Sequence, residues 1–327
     1  MAQGIIKKLE KAQLCGRGGA GFLTSKKWQI FKEAQSDKKY IICNAAEGDP
    51  QLSKDGYILN SYLKDVVLGI KIALREFPGS IAYIYLRKDY FEKFHKELDS
   101  LIGKKPIRLF KKTGQYLAGE ETALLESIEK RKAEPRKKPP YPCSQGLFNQ
   151  PTLINNVETF YFISQIAKDR YKNEQFYCLS GNIKNKGVFK LKEGLTIKQV
   201  LEKTKNLPQK DFFVQAGGTL GEFLLPDELD QKIRGLASIV VYSKKKNNPL
   251  SLAKKIIQFA MYQNCDKCTP CREGVYRLFE EFNKKEQEKE ILDDIFFVLE
   301  QTTLCPLGAM AGKAISSLYQ KIIQNND

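Results

Sequence analysis

Near its end the sequence carries three cysteines in a C-x2-C-x2-C run, and a fourth cysteine follows after a long gap. They are Cys265, Cys268, Cys271 and, beside Pro306, Cys305. Four thiolates are the usual ligand set of a 4Fe–4S cluster, and a tight triplet with a remote cysteine next to proline is a common arrangement. The spacing therefore predicts that two separate segments fold together around one cluster.

Two other uses of the four cysteines compete with this interpretation. A structural zinc site also takes four cysteines, but it favours two separated C-x2-C pairs. Disulfides are typical of small secreted chains, and this chain has 327 residues and no sign of secretion. A cluster with four protein ligands has no open position for catalysis, so we expect it to transfer electrons.

Composition restricts the class of protein. Hydrophobic residues make up 42% of the chain, which is enough for a large core and two or three domains. The remaining cysteines are isolated, as buried small residues are in a reducing compartment: Cys15, Cys43, Cys143 and Cys178. The first residues are too polar for a signal peptide, and no run is long and apolar enough for a membrane span. We expect a cytoplasmic protein, free or attached peripherally to a membrane within a complex.

The formal net charge of +16 favours anionic ligands or partners. Its lysines are spread along the chain and no nucleic-acid-binding module accompanies them, so we expect no nucleic acid partner. His95 is the only histidine and lies in an amphipathic segment. Acid–base catalysis by histidine is therefore disfavoured, and redox chemistry by bound cofactors is favoured.

Glycines are concentrated early in the chain. Gly16, Gly18 and Gly21 formally match G-x-G-x-x-G, but the strand that precedes this motif in dinucleotide-binding domains is missing. Four glycines within six residues still indicate a backbone that approaches a ligand closely, and exposed N–H groups suit a phosphate or a flat ring. A flexible turn is the alternative.

Strand and helix patterns then alternate. Apolar runs at 40–43, 81–86 and 107–110 read as buried strands, and 57–76 and 90–101 have helical spacing. The alternation predicts an α/β layer with a largely parallel sheet. The polar residues of 44–50 follow the first strand, at the end where such sheets bind ligands.

Charged residues dominate the next segment. Glu120 and Glu121 open a helix, where the dipole favours carboxylates, and they also suit ribose hydroxyls or a nicotinamide. The basic, proline-rich run 130–142 is held extended and suits phosphates, with a solvated linker as the alternative. Further on, 176–245 is rich in short strands around a helix at 196–204. Four amphipathic helices follow, at 251–263, 274–284, 288–301 and 309–324, and these predict a bundle over the cluster.

Taken together, these segments resemble the flavin- and NADH-binding subunit of respiratory complex I and of related NAD-linked hydrogenases and formate dehydrogenases. The matching segments, in the family's order, are 16–22, 44–50, 119–126, 135–142, 151–159, 265–274 and 305–308. The resemblance implies three domains. These are a Rossmann-like α/β domain for FMN and NADH (1–172), a β-grasp-like SLBB domain (173–246) and a helical 4Fe–4S domain (247–327).

The resemblance also implies roles for individual residues. It assigns FMN and NADH binding to Gly16, Arg17, Gly18, Gly19, Phe22, Lys27, Asn44, Asp49, Tyr116, Gly119, Glu120, Lys138, Tyr141, Asn155 and Asn156. It places Glu47 and Glu121 at the reaction centre as catalytic residues. Cys265, Cys268, Cys271 and Cys305 are the implied cluster ligands.

The sequence departs from the family pattern at three places, of which Ala46 lies in the wall that the resemblance assigns to the flavin. Ala46 stands where relatives carry Asp, Leu23 replaces a proline, and Lys130 interrupts a Glu-Gly-Lys-Arg motif. The sequence also shows neither the thioredoxin-like part nor the ferredoxin-like extension of longer fused members.

The implied function is that of a diaphorase, which passes electrons from NADH through FMN to the 4Fe–4S cluster. We expect partners that complete a redox complex, namely a thioredoxin-like 2Fe–2S subunit and a larger iron–sulfur subunit. Ala46 keeps an alternative open, in which a non-catalytic electron-transfer or scaffold subunit retains the cluster but has lost FMN or NADH turnover.

Overall fold

The computed structural model describes residues 4–114, 116–233 and 236–324 and contains two compact units. The first comprises Met1–Gly48 and Ser53–Glu174, and the second comprises Asp49–Leu52 and Gln175–Asp327. Among the described residues, no helix is both long and apolar enough to cross a bilayer.

The first unit is built on a four-stranded parallel sheet in the order β3-β2-β1-β4. The strands are β1 (Tyr40–Ala45), β2 (Ile81–Leu86), β3 (Ile107–Lys111) and β4 (Thr152–Asn156). Most of the apolar side chains of β1, β2 and β4 are buried on both faces, as expected for a parallel sheet covered by helices. The predicted α/β class with a parallel sheet is confirmed, although β4 was not predicted.

Helices cover this sheet. They are α1 (Ile5–Lys11), α2 (Thr24–Glu33), α3 (Lys54–Glu76), α4 (Lys88–Ile102), α5 (Ala123–Ile128) and α6 (Val157–Ala167). The helices α3 and α6 pack closely because α3 has a glycine at the contact. A Cβ atom at Gly69 would collide with the backbone carbonyl of Phe160. Both helices begin near the carboxyl ends of strands, so their first turns lie beside the predicted ligand-binding edge.

The second unit contains a five-stranded mixed sheet in the order β6-β5-β9-β7-β8. Its strands are β5 (Glu174–Gly181), β6 (Gly187–Lys192), β7 (Phe212–Ala216), β8 (Glu222–Leu224) and β9 (Ser238–Ser243), and α7 (Ile197–Lys203) connects β6 to β7. The sequence predicted β5, β6, β7 and α7 but neither β8 nor β9. The strand β9 joins the sheet together, since it pairs parallel with β5 and antiparallel with β7.

Helices form the rest of the second unit, and the predicted helical C-terminus is confirmed. They are α8 (Pro249–Gln263), α9 (Thr269–Asn283), α10 (Lys289–Thr302) and α11 (Pro306–Leu318), followed by a π-helical turn at Tyr319–Ile323. Leu299 of α10 lies against two glycines. A Cβ atom at Gly274 of α9 or Gly312 of α11 would come within 2.9 or 3.0 Å of the Leu299 side chain. Glycine at these positions lets three helices approach each other around one buried leucine.

Candidate functional site

Two asparagines meet at the carboxyl edge of the parallel sheet. Asn44 of β1 and Asn156 of β4 are Cα partners on neighbouring strands. The Asn44 side chain donates to the carbonyl of Gly119 at 2.9 Å, and the Asn156 side chain donates to Asp55 Oδ2 at 2.8 Å. The edge therefore brings together residues that are far apart in the sequence, as the strand-end rule predicts.

The glycine-rich loop closes on itself beside this edge. The Gly16 N–H donates to the Phe22 carbonyl at 2.8 Å, and an isolated β-bridge joins the two ends of the loop. Gly19 and Gly21 have positive φ angles of 113° and 63°, which explains glycine there. A Cβ atom at Gly18 would lie 3.5 Å from Asn156, so the loop backbone runs directly beside β4.

Arg17 anchors the loop to the first unit. Its backbone N–H donates to Thr159 Oγ1 at 3.1 Å, at the start of α6. Its side chain is only 7% exposed and turns towards Phe162 and the Tyr171 hydroxyl. The guanidinium therefore faces the interior, where it packs the loop against α6.

A buried charge cluster lies beneath the loop. The Lys54 ammonium donates to the Arg17 carbonyl at 3.0 Å and to Glu158 Oε2 at 2.7 Å. Asp55 follows in sequence and is also buried. Burial and then the nearby Glu47 carboxylate raise the pKa of Asp55 to about 7.

The side chain of Glu47, which follows β1, reaches the first turn of α3. Its carboxylate accepts hydrogen bonds from the backbone N–H groups of Asp55 at 2.9 Å and Gly56 at 3.3 Å. The Tyr90 hydroxyl donates to it at 2.6 Å. These bonds satisfy N–H groups that the helix leaves open and hold the carboxylate in one orientation.

The predicted Asn155–Asn156 pair is divided between the two faces of β4. Successive strand residues point in opposite directions. Accordingly, Asn155 lies on the face covered by α2 and is 5% exposed. With its amide assigned in the orientation that satisfies both of its polar atoms, the oxygen accepts from Trp28 Nε1 at 3.1 Å. The structure brings only Asn156 next to Asn44.

Two carboxylates and a lysine form a compact group after the 3₁₀ turn Tyr116–Gly119. The Lys138 ammonium lies 2.9 Å from Glu120 Oε1 and 2.7 Å from Glu121 Oε1, and Lys27 lies 3.7 Å from Glu121 Oε2. Burial opposes the charge on Glu121, but Lys27 and Lys138 outweigh it and hold the pKa of Glu121 below its ordinary value. Burial likewise opposes the charge on Lys138, but the two carboxylates raise its pKa.

The other predicted residues of this region differ in exposure. Phe22 is 48% exposed and Tyr141 is 60% exposed, so both rings are available to a ligand. Asp49 is 3% exposed and belongs to the second unit, where both its carboxylate oxygens accept hydrogen bonds from Thr219.

Sequence reasoning missed one residue at the sheet edge, Lys112. It directly follows β3, and its ammonium donates to the Ala46 carbonyl at 3.1 Å. Ala46 is 2% exposed, and its methyl group faces Gly119. Burial and then the Arg87 guanidinium lower the pKa of Lys112 to about 8. The position immediately after a parallel strand is the signal that would have identified this lysine.

In the second unit, the four predicted cluster ligands lie near one another. Burial and then the negative charge of the Cys268, Cys305 and Cys265 thiolates raise the pKa of Cys271 to about 12. Cys271 is 3% exposed. In the described part of the chain, no three His, Cys, Asp or Glu side chains are arranged around a single metal ion. A 4Fe–4S cubane does not require three protein ligands around one ion, because each of its four cysteines binds a different iron.

Helix starts bring these cysteines together. Cys268 is the N-cap of α9 and Cys305 is the N-cap of α11, with proline in the first turn of each helix. A Cβ atom at Gly308 would lie 3.2 Å from the Cys271 Cβ, so the two helix starts adjoin. The positive ends of the helix dipoles favour thiolates at both caps.

Two known families match the chain. Residues 9–165 match the Nuo51 FMN-binding domain, and residues 251–324 match the NADH-ubiquinone oxidoreductase-F iron-sulfur binding region. The F subunit of the NADH-quinone oxidoreductase of Aquifex aeolicus is 32% identical, over 97% of this chain and 84% of the relative. The chain belongs to the family of NADH-quinone oxidoreductase F subunits.

Hydrogenase subunits are also similar to this member of the family. The NAD-reducing hydrogenase HoxS subunit alpha of Cupriavidus necator is 30% identical over 97% of this chain, which spans 59% of that subunit. A crystal structure of a NAD+-reducing [NiFe]-hydrogenase in the H2-reduced state superposes with a TM-score of 0.88 at 27% identity. That match covers 98% of this chain and 61% of the hydrogenase chain.

The matches confirm the predicted family and cofactors. The chain has an FMN-binding domain and a 4Fe–4S-binding region, and it is a flavoprotein subunit of the NADH-oxidising type. The relatives are subunits of larger redox complexes.

Proposed function

We propose that FMN and NADH bind at the carboxyl edge of the parallel sheet and that Cys265, Cys268, Cys271 and Cys305 hold the cluster that receives the electrons. Bound FMN supplies the conversion of a two-electron hydride transfer into single-electron steps, which no side chain provides. The observation that carries the proposal is the meeting of the glycine loop, Asn44 and Asn156 at one sheet edge.

The glycine loop is proposed to hold the flavin. Backbone N–H groups of Gly18 and Gly19, with the Lys27 ammonium, suit the phosphate, because a chain without Cβ atoms admits close approach. Asn44 and Asn156 offer amide groups to the polar parts of the flavin, with Asn155 supporting β4 from the opposite face. Glu47 holds the loop 46–48, which follows β1, and Arg17 holds the glycine loop. Both loops are therefore in place before the ligand binds.

The acidic pair is proposed to receive the nicotinamide part of NADH. Glu121 carries a lowered pKa beside Lys27 and Lys138, so it is an anionic acceptor at neutral pH. Carboxylates accept hydrogen bonds from amide and ribose groups. The exposed rings of Phe22 and Tyr141 offer flat surfaces for the bases, and Lys138 offers a positive charge.

The four cysteines suit an iron–sulfur cluster electrostatically. Burial raises the pKa of Cys271, and the neighbouring thiolates raise it further, since the negative charges repel one another. Iron ions would supply the missing positive charge, and the starts of α9 and α11 add partial positive charge. The same residues would close the site from two segments that are remote in sequence.

The remaining assignments complete the proposal. The strand order with α7 between β6 and β7 supports a β-grasp domain within 173–246, with a spacer or docking role. Large side chains are exposed on the C-terminal helices, including Tyr262 (75%) and Phe297 (67%). Exposed apolar surface of this kind is typical of protein interfaces. It supports docking to iron–sulfur partner subunits, one of them thioredoxin-like. The complex is proposed to be cytoplasmic, free or peripheral to a membrane.

An anaerobic purification tests the proposal. We expect FMN, about four irons and about four acid-labile sulfides per chain, together with reduction of ferricyanide by NADH. The alternative function, a cluster-bearing scaffold, is favoured by Ala46 in the flavin wall. Iron and sulfide without any FMN binding, even with FMN in excess, would establish the scaffold instead.

A further inference from the structure

Lys112 carries a buried ammonium whose hydrogen-bonding capacity is largely unused. The residue is 9% exposed, and its ammonium donates to the Ala46 carbonyl at 3.1 Å. An ammonium has three donors. Within the described part of the chain the structure gives it no ion pair with a carboxylate, and its charged neighbour is another cation, Arg87. Burial of a charge is costly unless the charge is paired, so this position favours an anionic or electron-rich ligand.

The place of Lys112 is the proposed flavin wall. It follows β3 at the carboxyl edge, where its backbone N–H donates to the Leu86 carbonyl at 2.7 Å. A Cβ atom at Gly48 would lie 3.2 Å from its ammonium and 3.2 Å from Tyr116 Cα. The ammonium therefore lies between the strand-end loop 46–48 and the Tyr116–Gly119 turn.

We propose that Lys112 is a flavin-binding residue of this chain, whose ammonium lies beside the isoalloxazine ring and favours its reduced, negatively charged form. The inference rests on the proposed function, since it requires FMN at this sheet edge. A hydride taken from NADH adds one negative charge to the ring, and a nearby cation stabilises that charge. At position 46 this chain has only a methyl group, so the Lys112 ammonium beside the Ala46 carbonyl makes this part of the wall positive.

The test compares Lys112→Met with wild type in the full, anaerobically purified chain. Methionine retains the length of the side chain and removes the charge. FMN affinity is measured by fluorescence titration, and the flavin midpoint potential by spectroelectrochemical titration with mediator dyes. We expect the preference for reduced over oxidised FMN to fall about tenfold in Lys112→Met, which is about 30 mV for a two-electron couple.

Lys111→Met is the matched control. Its side chain is exposed and pairs with Glu92 at 3.4 Å, so its removal changes the net charge equally without touching the wall. This variant should keep the wild-type potential. Lys112→Gln, which retains donors without charge, gives a second measurement if Lys112→Met folds poorly, and it should lose the same preference.

The outcomes separate this inference from the function on which it rests. A wild-type potential and affinity in both Lys112 variants would overturn the role of Lys112 while leaving the flavin site intact. An equal shift in Lys111→Met would also overturn it, because a long-range effect of net charge would then suffice. Failure of the wild-type chain to bind FMN would overturn the proposed function, and this inference with it.

Discussion

Lys138 and Glu121 form an ion pair, with 2.7 Å between Nζ and Oε1. Glu120 shares the same ammonium at 2.9 Å, and its other oxygen accepts from the backbone N–H groups of Thr122 and Ala123. One lysine therefore holds two carboxylates in a fixed arrangement beside the start of α5. In this part of the proposed NADH site, the lysine and the carboxylates are already paired with one another before any ligand binds.

Replacing Lys138 should weaken NADH binding more than flavin binding. A charge-assisted hydrogen bond contributes about 1.5–3 kcal/mol, so Lys138→Ala should raise the KM for NADH roughly tenfold or more. Flavin content should change little, because the glycine loop and Asn156 carry that site. Steady-state NADH–ferricyanide kinetics give the KM. Lys137→Ala removes an exposed neighbouring lysine and should leave it unchanged; equal behaviour of the two variants would place Lys138 in a merely solvated basic run.

Replacing the remote cysteine should remove or convert the cluster. Cys305→Ser takes away one of four thiolates at the adjoining starts of α9 and α11, so iron and sulfide should fall from about four each. Cys178→Ser is the control, because Cys178 is a buried residue of β5, outside the C-terminal helices. Iron and sulfide analysis after anaerobic purification measures the loss in Cys305→Ser and its absence in Cys178→Ser. Stoichiometric zinc without labile sulfide in the wild type would contradict the cluster itself.

The sequence predicted much of the fold because many segments carry their own signal. The strands β1 and β2 are short, continuous apolar runs, and α3 has apolar residues at helical spacing over its length. Such patterns need no knowledge of neighbours. By contrast β4 has five residues and ends in two asparagines, and its strand conformation depends on parallel pairing with β1. Pairing between distant segments is a tertiary effect that local patterns do not contain.

The site was predicted less completely than the fold. Asn44, Asn156 and the glycine loop are brought together as expected. The pairing of Asn155 with Trp28 depends on the alternation of β4, whose sequence does not mark it as a strand. Asp49 follows the strand-end loop in sequence, but its contacts with Thr219 lie in the second unit. Lys112 stands in a basic stretch of sequence, and only the end of β3 distinguishes it from its exposed neighbour Lys111.

Introducing a carboxylate at position 46 should increase flavin retention. Losing one hydrogen bond to a ligand costs about 0.5–1.5 kcal/mol, so Ala46 is expected to leave FMN bound substoichiometrically. Ala46→Asp introduces a carboxylate at the residue whose backbone carbonyl accepts from the Lys112 ammonium, and pairing with that ammonium is expected to offset the cost of burying the carboxylate. Released flavin per chain, measured by fluorescence, should rise.

The gain from Ala46→Asp should require Lys112. In the double variant with Lys112→Met, the new carboxylate has no cation beside it, and both retention and thermal stability should fall below those of the single Ala46→Asp variant. The two single variants and the double variant form a double-mutant cycle. Additive effects would show that position 46 and Lys112 act independently.

The stability of the FMN-free chain should reveal the buried charge of Lys112 through its pH dependence. Burial lowers the pKa of Lys112 from 10.5 to about 8 in the folded state. Below pH 8 the lysine is charged in both folded and unfolded chains, so the destabilisation is fully present. Between pH 8 and 10.5 the folded chain loses this proton while the unfolded chain keeps it, so stability rises with pH. Since one pKa unit is worth about 1.4 kcal/mol, the lowered pKa corresponds to roughly 3 kcal/mol of unfolding free energy.

The readout is the difference in unfolding free energy between Lys112→Met and wild type, from urea titrations at pH 7 to 10. Methionine never carries the charge, so the variant should have its largest relative advantage at pH 7, and the difference should shrink as the pH approaches 10. Other groups that titrate on folding, including Asp55 with its pKa of about 7, are present in both proteins and cancel in the difference. A difference that stays constant with pH would mean that Lys112 is not a buried ammonium in the FMN-free chain.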